Sequence, residues 1–143
     1  MADRFPLIVD SDNLVIKELP SGDNLDLSGS SIVNLKTAAA ATQTANATGS
    51  TTLDFSTYQN FVLTMTGNVT LDNPTTETVG QSGFIVLIQD GTGGRTISLG
   101  TDYETAGGAG LTLSSAASTT DVVPYIVAAS NRILLGAPQL AFS

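Results

Sequence analysis

Residues 83–90, Gly83-Phe84-Ile85-Val86-Leu87-Ile88-Gln89-Asp90, are the most apolar stretch of the chain. Gly91-Thr92-Gly93-Gly94 leads directly from them into Arg95-Thr96-Ile97-Ser98-Leu99. Five consecutive large apolar side chains without polar alternation predict a strand covered on both faces, whereas residues 95–99 alternate like a strand with one wet face. The run is too short for a buried helix, and its β-branched residues and glycine-rich exit favour a strand. The expectation is a central hairpin with one interior strand and a partner nearer the surface, around which the rest of the C-terminal region packs.

Working outward from that hairpin, strand-like runs recur at residues 51–55, 60–66, 68–71, 83–89, 95–99, 111–113, 122–128 and 132–135, the spacing of a sandwich. Phe61, Leu63 and Met65 alternate with Val62, Thr64 and Thr66, which assigns three large side chains to one face. Thr66-Gly67-Asn68 reads as a turn, residues 75–81 and 103–110 as irregular connections, and Ala129-Ser130-Asn131 as the close of a last hairpin. Pro124 demotes its strand to an edge or marks a bulge, because proline cannot donate to a ladder. No convincing helical stripe appears. The predicted fold is all-β: an antiparallel β-sandwich, jelly-roll-like, occupying residues 51–143.

Upstream of it the chain changes character twice. Residues 1–35 hold short apolar clusters at 5–9, 14–16 and 32–35, separated by Asp, Ser, Gly and Pro, and read as an extended arm of short strands. Such segments cannot close a core alone, so the arm is expected to dock, with Phe5, Leu7, Ile8, Val9, Leu14 and Ile16 as its partner-binding residues. Residues 36–50 are small and nearly uncharged, and read as an Ala/Thr-rich linker.

Composition narrows the function. With 13 acidic and 5 basic residues the formal charge is −8, so a phosphate backbone is repelled and nucleic acid is not an expected partner. No stretch approaches the roughly 18 to 20 apolar residues of a membrane span, and no basic leader precedes a long apolar run, so the chain is expected to be made in the cytoplasm without membrane insertion. Histidine and cysteine are absent, which removes the usual bases and thiolates, and there is no Gly-x-Ser-x-Gly elbow. The carboxylate pairs Asp102/Glu104, Asp10/Asp12 and Asp23/Asp26 could in principle serve a glycosidase. A sugar cleft calls for stacking surfaces, however, and the chain has no tryptophan. Asp10-Ser11-Asp12-Asn13 and Asp23-Asn24-Leu25-Asp26 offer calcium-type oxygens without completing an EF-hand loop, and Gly91 to Gly94 lacks the phosphate-loop ending. The expectation is a non-enzymatic structural or binding protein without cofactor or metal. Only Arg95 and Arg132 are basic in the C-terminal region, and edges so weakly guarded by charge predict self-association, as a homotrimer.

Residues Ala2 to Val9 with Ile16 to Ser30, and Asn60 to Leu71 with Gly80-Gln81-Ser82-Gly83 and Gly93-Gly94-Arg95-Thr96, resemble virion structural proteins of tailed marine phages, especially those of cyanobacteria. The resemblance implies a virion protein of capsid-decoration or fibre type. The 15-residue linker, reaching only about 50 Å when extended, favours a knob on a shell over a fibre. The expected function is therefore a capsid decoration (cement) protein on the capsid surface. Its arm would bind the major capsid protein and neighbouring copies while the β domain projects outward. The alternative is a short head or tail fibre whose C-terminal β domain binds a host-surface receptor through residues 72–80 and 103–110.

Overall fold

The computed structural model describes residues 7–10, 15–18 and 36–143 and divides into two compact units, Met1–Ala38 and Ala39–Ser143. In the first, β1 (Leu7–Asp10) and β2 (Val15–Glu18) form an antiparallel hairpin in which Ile8 faces Lys17 and Val9 faces Ile16. Leu7, Ile8, Val9 and Ile16 of the predicted docking set therefore lie on this hairpin. Phe5 and Leu14 lie outside the described residues, as do the carboxylates Asp12, Asp23 and Asp26 and the cluster at 32–35.

The second unit is all-β. Its strands are β3 (Thr42–Thr52), β4 (Asn60–Asp72), β5 (Ser82–Gln89), β6 (Ile97–Leu99), β7 (Tyr103–Thr105), β8 (Thr120–Ala129), β9 (Arg132–Leu135) and β10 (Gln139–Phe142), with one 3-10 turn at Ala106–Gly108. They form a single eight-stranded sheet in the order β3-β4-β5-β8-β9-β7, with β6 added to β4 and β10 to β8. The sheet is mixed rather than antiparallel: β3, β5 and β6 each run parallel to β4, and β7 runs parallel to β9, while β8 is antiparallel to β5, β9 and β10.

The alternation read in β4 is observed: Phe61, Leu63, Met65, Val69 and Leu71 are buried while Val62, Thr64, Thr66 and Thr70 point outward. Ile85 and Leu87 of β5, Val123, Tyr125 and Val127 of β8, and Ile133 and Leu135 of β9 meet them in one core. Phe55, Phe61 and Tyr125 pack as an aromatic triad with centroids 4.8, 5.3 and 6.0 Å apart, geometry that adds to simple burial. Tyr125 donates its hydroxyl hydrogen to the Gln59 carbonyl at 2.6 Å, and burial pushes that hydroxyl's pKa up to about 12.

Five expectations are corrected. Residues 42–50 are not a linker but most of β3, paired in register with β4 from Thr42 opposite Asn60 to Thr52 opposite Asp72. A parallel edge strand needs only small side chains that lie flat, so an uncharged Thr/Ala/Asn run satisfies it without any apolar stripe. Thr66-Gly67-Asn68 does not turn the chain, because β4 runs through it. Residues 66–68 are instead a bulge in β4 opposite the single Thr48 of β3, and a Cβ on Gly67 would collide with the Thr48 hydroxyl.

Strands β5 and β6 are not a hairpin, since both run parallel to β4 and in succession along it. Residues 90–96 arch out between them, and the Gln89 amide closes the base of the arch by bonding both the N–H (2.8 Å) and the carbonyl (2.9 Å) of Arg95. Pro124 is not on an edge: β8 is central. The Val127 N–H donates to Gln81 and the Gln89 N–H to Thr119, so by the antiparallel alternation the Pro124–Phe84 pair between them falls at a non-bonded step and the proline nitrogen faces the other side. On that side Gly136, just past the end of β9, donates its N–H to the Pro124 carbonyl at 2.9 Å, so a single bond holds the ladder at the proline. Finally, β5 is not covered on both faces. Ile85, Leu87 and Gln89 are buried, while Phe84 is 52% exposed and Val86 and Ile88 are half-buried. The closing hairpin at residues 129–131 is found as read, with Asn131 supplying the positive φ of 56°.

Candidate functional site

The region read as an irregular glycine-rich connection, residues 103–110, opens with a strand and lines a groove at one end of the domain. Strand β6 leaves β4 at Leu99, the chain turns through Gly100-Thr101-Asp102, and β7 departs from Tyr103 to join β9. Asn73 braces the turn from the end of β4, donating to the Thr101 hydroxyl (2.8 Å) and accepting from the Asp102 N–H (3.1 Å). Gly100 is required there by close approach: a Cβ would meet the Leu71 carbonyl at 2.9 Å and the Asn73 amide nitrogen at 3.0 Å.

Because β6 and β7 turn toward different partners, a groove of about 510 Å³ opens beside them, within the range of small-ligand sites. Half-buried Ile97 and Leu99 and buried Tyr103 line its depth, and exposed Ser98, Thr101 and Glu104 its rim. Its walls also present main chain. Thr96 accepts from the Val69 N–H (2.9 Å) and Gly100 donates to Leu71 (2.7 Å), so the intervening peptide groups of Ile97 and Leu99 face away from β4. The Ile133 N–H donates to Asp102 (2.7 Å), which by the same alternation leaves the Thr105 peptide group turned away from β9. The loop above is shaped by Gly107, Gly108 and Gly110 at φ 68°, 68° and 73°, and the Thr105 hydroxyl closes it by accepting from the Gly110 N–H at 2.9 Å. A second depression of about 330 Å³ shares Thr105 and Gly110 and runs on to Leu140.

Charge at this end is largely spent on structure. Glu104 and Arg132 form a two-pronged ion pair (3.0 and 3.1 Å) between β7 and β9, which holds the carboxyl below its usual range and the guanidinium above it. Glu104 is thus engaged by a cation, and the pairing Asp102/Glu104 is not a matched acid and base. Tyr103 is only 6% exposed. Burial first, then the nearby charges of Asp102, Glu77 and Asp72, raise its pKa, and its hydroxyl, like one Glu77 carboxylate oxygen, is buried without a hydrogen-bond partner. Tyr103 therefore supports the groove from beneath rather than offering a contact.

Of residues 72–80 none lines this groove, although Asn73 braces its turn. Among them Glu77 accepts from the Asn131 N–H at 2.9 Å, and Val79 is 61% exposed. At the arch, Asp90 accepts from the N–H groups of Thr92 and Gly93 and pairs with Arg95 at 2.8 Å, which lowers its pKa to about 2. The Gly91-Thr92-Gly93-Gly94 run is thereby a structural loop, with Gly93 (φ 73°) pressed against the backbone of Ser115 and Ala117. Among the described residues no cluster of three or more potential metal ligands occurs, and no helix is long and apolar enough to cross a membrane. Sequence reasoning missed Ile97 to Thr101 as groove residues. The available signal was Gly100-Thr101-Asp102, turn chemistry between two short runs.

One family profile, described as "Putative phage tail fibre C-terminal domain", matches residues 20–129, 110 of the 143 residues, and spans the groove and most of the core. No curated protein and no solved structure matches the chain.

Proposed function

The chain belongs to the phage tail fibre C-terminal domain family, a virion structural protein, and we propose that it is a fibre component whose β domain contacts a receptor on the host surface. The observation that carries this reading is the groove between β6 and β7, which lies inside the matched region and combines free main-chain groups with exposed hydroxyls under a glycine-shaped loop. Such an arrangement binds without reacting: its one exposed carboxylate is neutralised by Arg132. The resemblance of the opening segment to virion proteins of marine cyanobacterial phages supports a bacterial surface as the place of contact.

The capsid-decoration reading rested on a short free linker, and most of that segment is strand β3, so the argument from reach no longer favours it. Docking through the hairpin residues Leu7, Ile8, Val9 and Ile16 remains a proposal for the first unit, with another virion protein as partner. Self-association, as a homotrimer, is proposed for the whole chain.

The test is competition of the purified chain with phage for adsorption to the host. The chain should slow adsorption, and Ser98→Trp, which fills the groove from an exposed position, should abolish that effect with an unchanged circular dichroism spectrum and Tm. Full competition by the folded Ser98→Trp variant would refute the groove as the contact.

A further inference from the structure

The apolar run of β5 asks for two covers, and the fold supplies one. Register shows what is left open: Phe84 faces Pro124, Val86 faces Val122, Ile88 faces Thr120 and Ser82 faces Ile126, so these side chains share the sheet face opposite the core. Phe84 is 52% and Ile126 46% exposed. Beside Phe84 lies a shallow depression of about 330 Å³ lined by Pro124, Ile126, Leu134 and Gly136. A projecting aromatic ring thus adjoins an apolar hollow on one surface.

We propose that this face is where copies of the chain pack together, Phe84 of one copy seated in the Pro124–Ile126–Leu134 hollow of the next. The inference rests on the self-association reading above and assigns it a surface. Three observations favour a second copy as the occupant. The five-residue centre of the face (Phe84, Val86, Val122, Pro124, Ile126) is uncharged, whereas residues 39–143 carry seven acidic and two basic residues. Copies with a net negative charge repel one another elsewhere and meet without that cost here. Knob and hollow are both present on every copy, so the contact is self-complementary. Lying side by side on one face, they let two copies meet with each Phe84 in the other's hollow, a two-fold contact. The area is also adequate. Four strands of eight residues or more (β3, β4, β5, β8) about 4.8 Å apart, at about 3.3 Å per residue, give a face of roughly 500 Å² per copy, and about 1,000 Å² in total reaches the size a biological interface needs.

The experiment is sedimentation velocity on the full chain at high micromolar concentration, with Phe84→Ser, Ile126→Lys and, as a control away from the face, Val79→Ser. The wild type and Val79→Ser should be oligomeric. Phe84→Ser and Ile126→Lys should associate about 30-fold or more weakly, as expected for a central aromatic anchor and its seat, with unchanged circular dichroism. Because the chain has no cysteine, a mixture of Phe84→Cys and Leu134→Cys copies provides a second reading, and a disulfide between the two should form on mild oxidation. Oligomers that survive both substitutions and give no such disulfide would overturn the surface while leaving self-association intact. A monomeric wild type would overturn both. If that monomer bound neutral phosphatidylcholine vesicles, the face would belong to a lipid surface instead.

Discussion

Replacing Asp121 should loosen the C-terminal quarter of the domain. Asp121 sits on β8 at 1% exposure and its carboxylate accepts three hydrogens: the Ser114 N–H at 2.7 Å, the Ser114 hydroxyl at 2.6 Å and the Ala141 N–H at 2.9 Å. One side chain thereby pins the irregular segment before β8 and the last strand, β10, which otherwise touches β8 at only two register positions. Ala141 has φ 61°, a conformation that a non-glycine residue holds only when something compensates. Hydrogen bonds to a charged group contribute about 1.5 to 3 kcal/mol each. The Ala141 bond lies on an exposed strand where water can replace the carboxylate, so most of the loss falls on the two Ser114 bonds, about 3 to 6 kcal/mol for Asp121→Ala. For a unit of 105 residues (Ala39–Ser143), at about 4 °C or more per kcal/mol, Tm should fall by about 12 °C or more. Calorimetry measures this, and limited proteolysis should show early cleavage after Leu135. Asp121→Asn should lose part of the same energy, because one oxygen becomes a donor facing a donor. A Tm loss below about 4 °C for Asp121→Ala, or additive effects of Asp121→Ala and Ser114→Ala in a double-mutant cycle, would refute the clamp.

Three further outcomes follow from the same geometry. The Asp90 pKa is lowered to about 2, chiefly by its bonds to Arg95, so the stability it contributes is present above the ordinary carboxylate value near 4 and is lost as pH falls through about 2. Asp90→Asn should flatten the acid-unfolding curve between pH 4 and 2, which an acid titration followed by fluorescence would detect. Leu87 and Ile88 are consecutive on β5 but face opposite ways, Leu87 at 1% exposure. Leu87→Ala should cost about 2 to 5 kcal/mol and Ile88→Ala about 1 kcal/mol or less in dissociated chains, so equal costs in urea unfolding would mean that the faces are wrongly assigned. Gly100→Ala should cost about 1 to 3 kcal/mol because its methyl group meets backbone that cannot yield. It should also displace the turn between β6 and β7, so loss of host adsorption should accompany the drop in Tm.

Some of this protein was readable without coordinates. Side-chain alternation in Phe61 to Met65 assigned the core face because a strand's period of two is a local property of the backbone, and Ala129-Ser130-Asn131 announced its hairpin because asparagine tolerates positive φ. The absence of histidine and cysteine and the net negative charge were legible as well, because they are composition alone. The register and direction of strands were not readable. Pairing Thr42–Thr52 parallel to β4, carrying β6 along the same strand after an arch, and making Pro124 central all depend on residues far apart in sequence. They rest on hydrogen bonds from the main chain, which every residue supplies alike. The groove was hidden for the same reason: it exists because two short strands, three residues apart, bond to different neighbours. The apolar run at 84–88 was legible as needing two covers. Only the tertiary structure decided that one of them is missing, since burial belongs to the whole sheet and not to the strand.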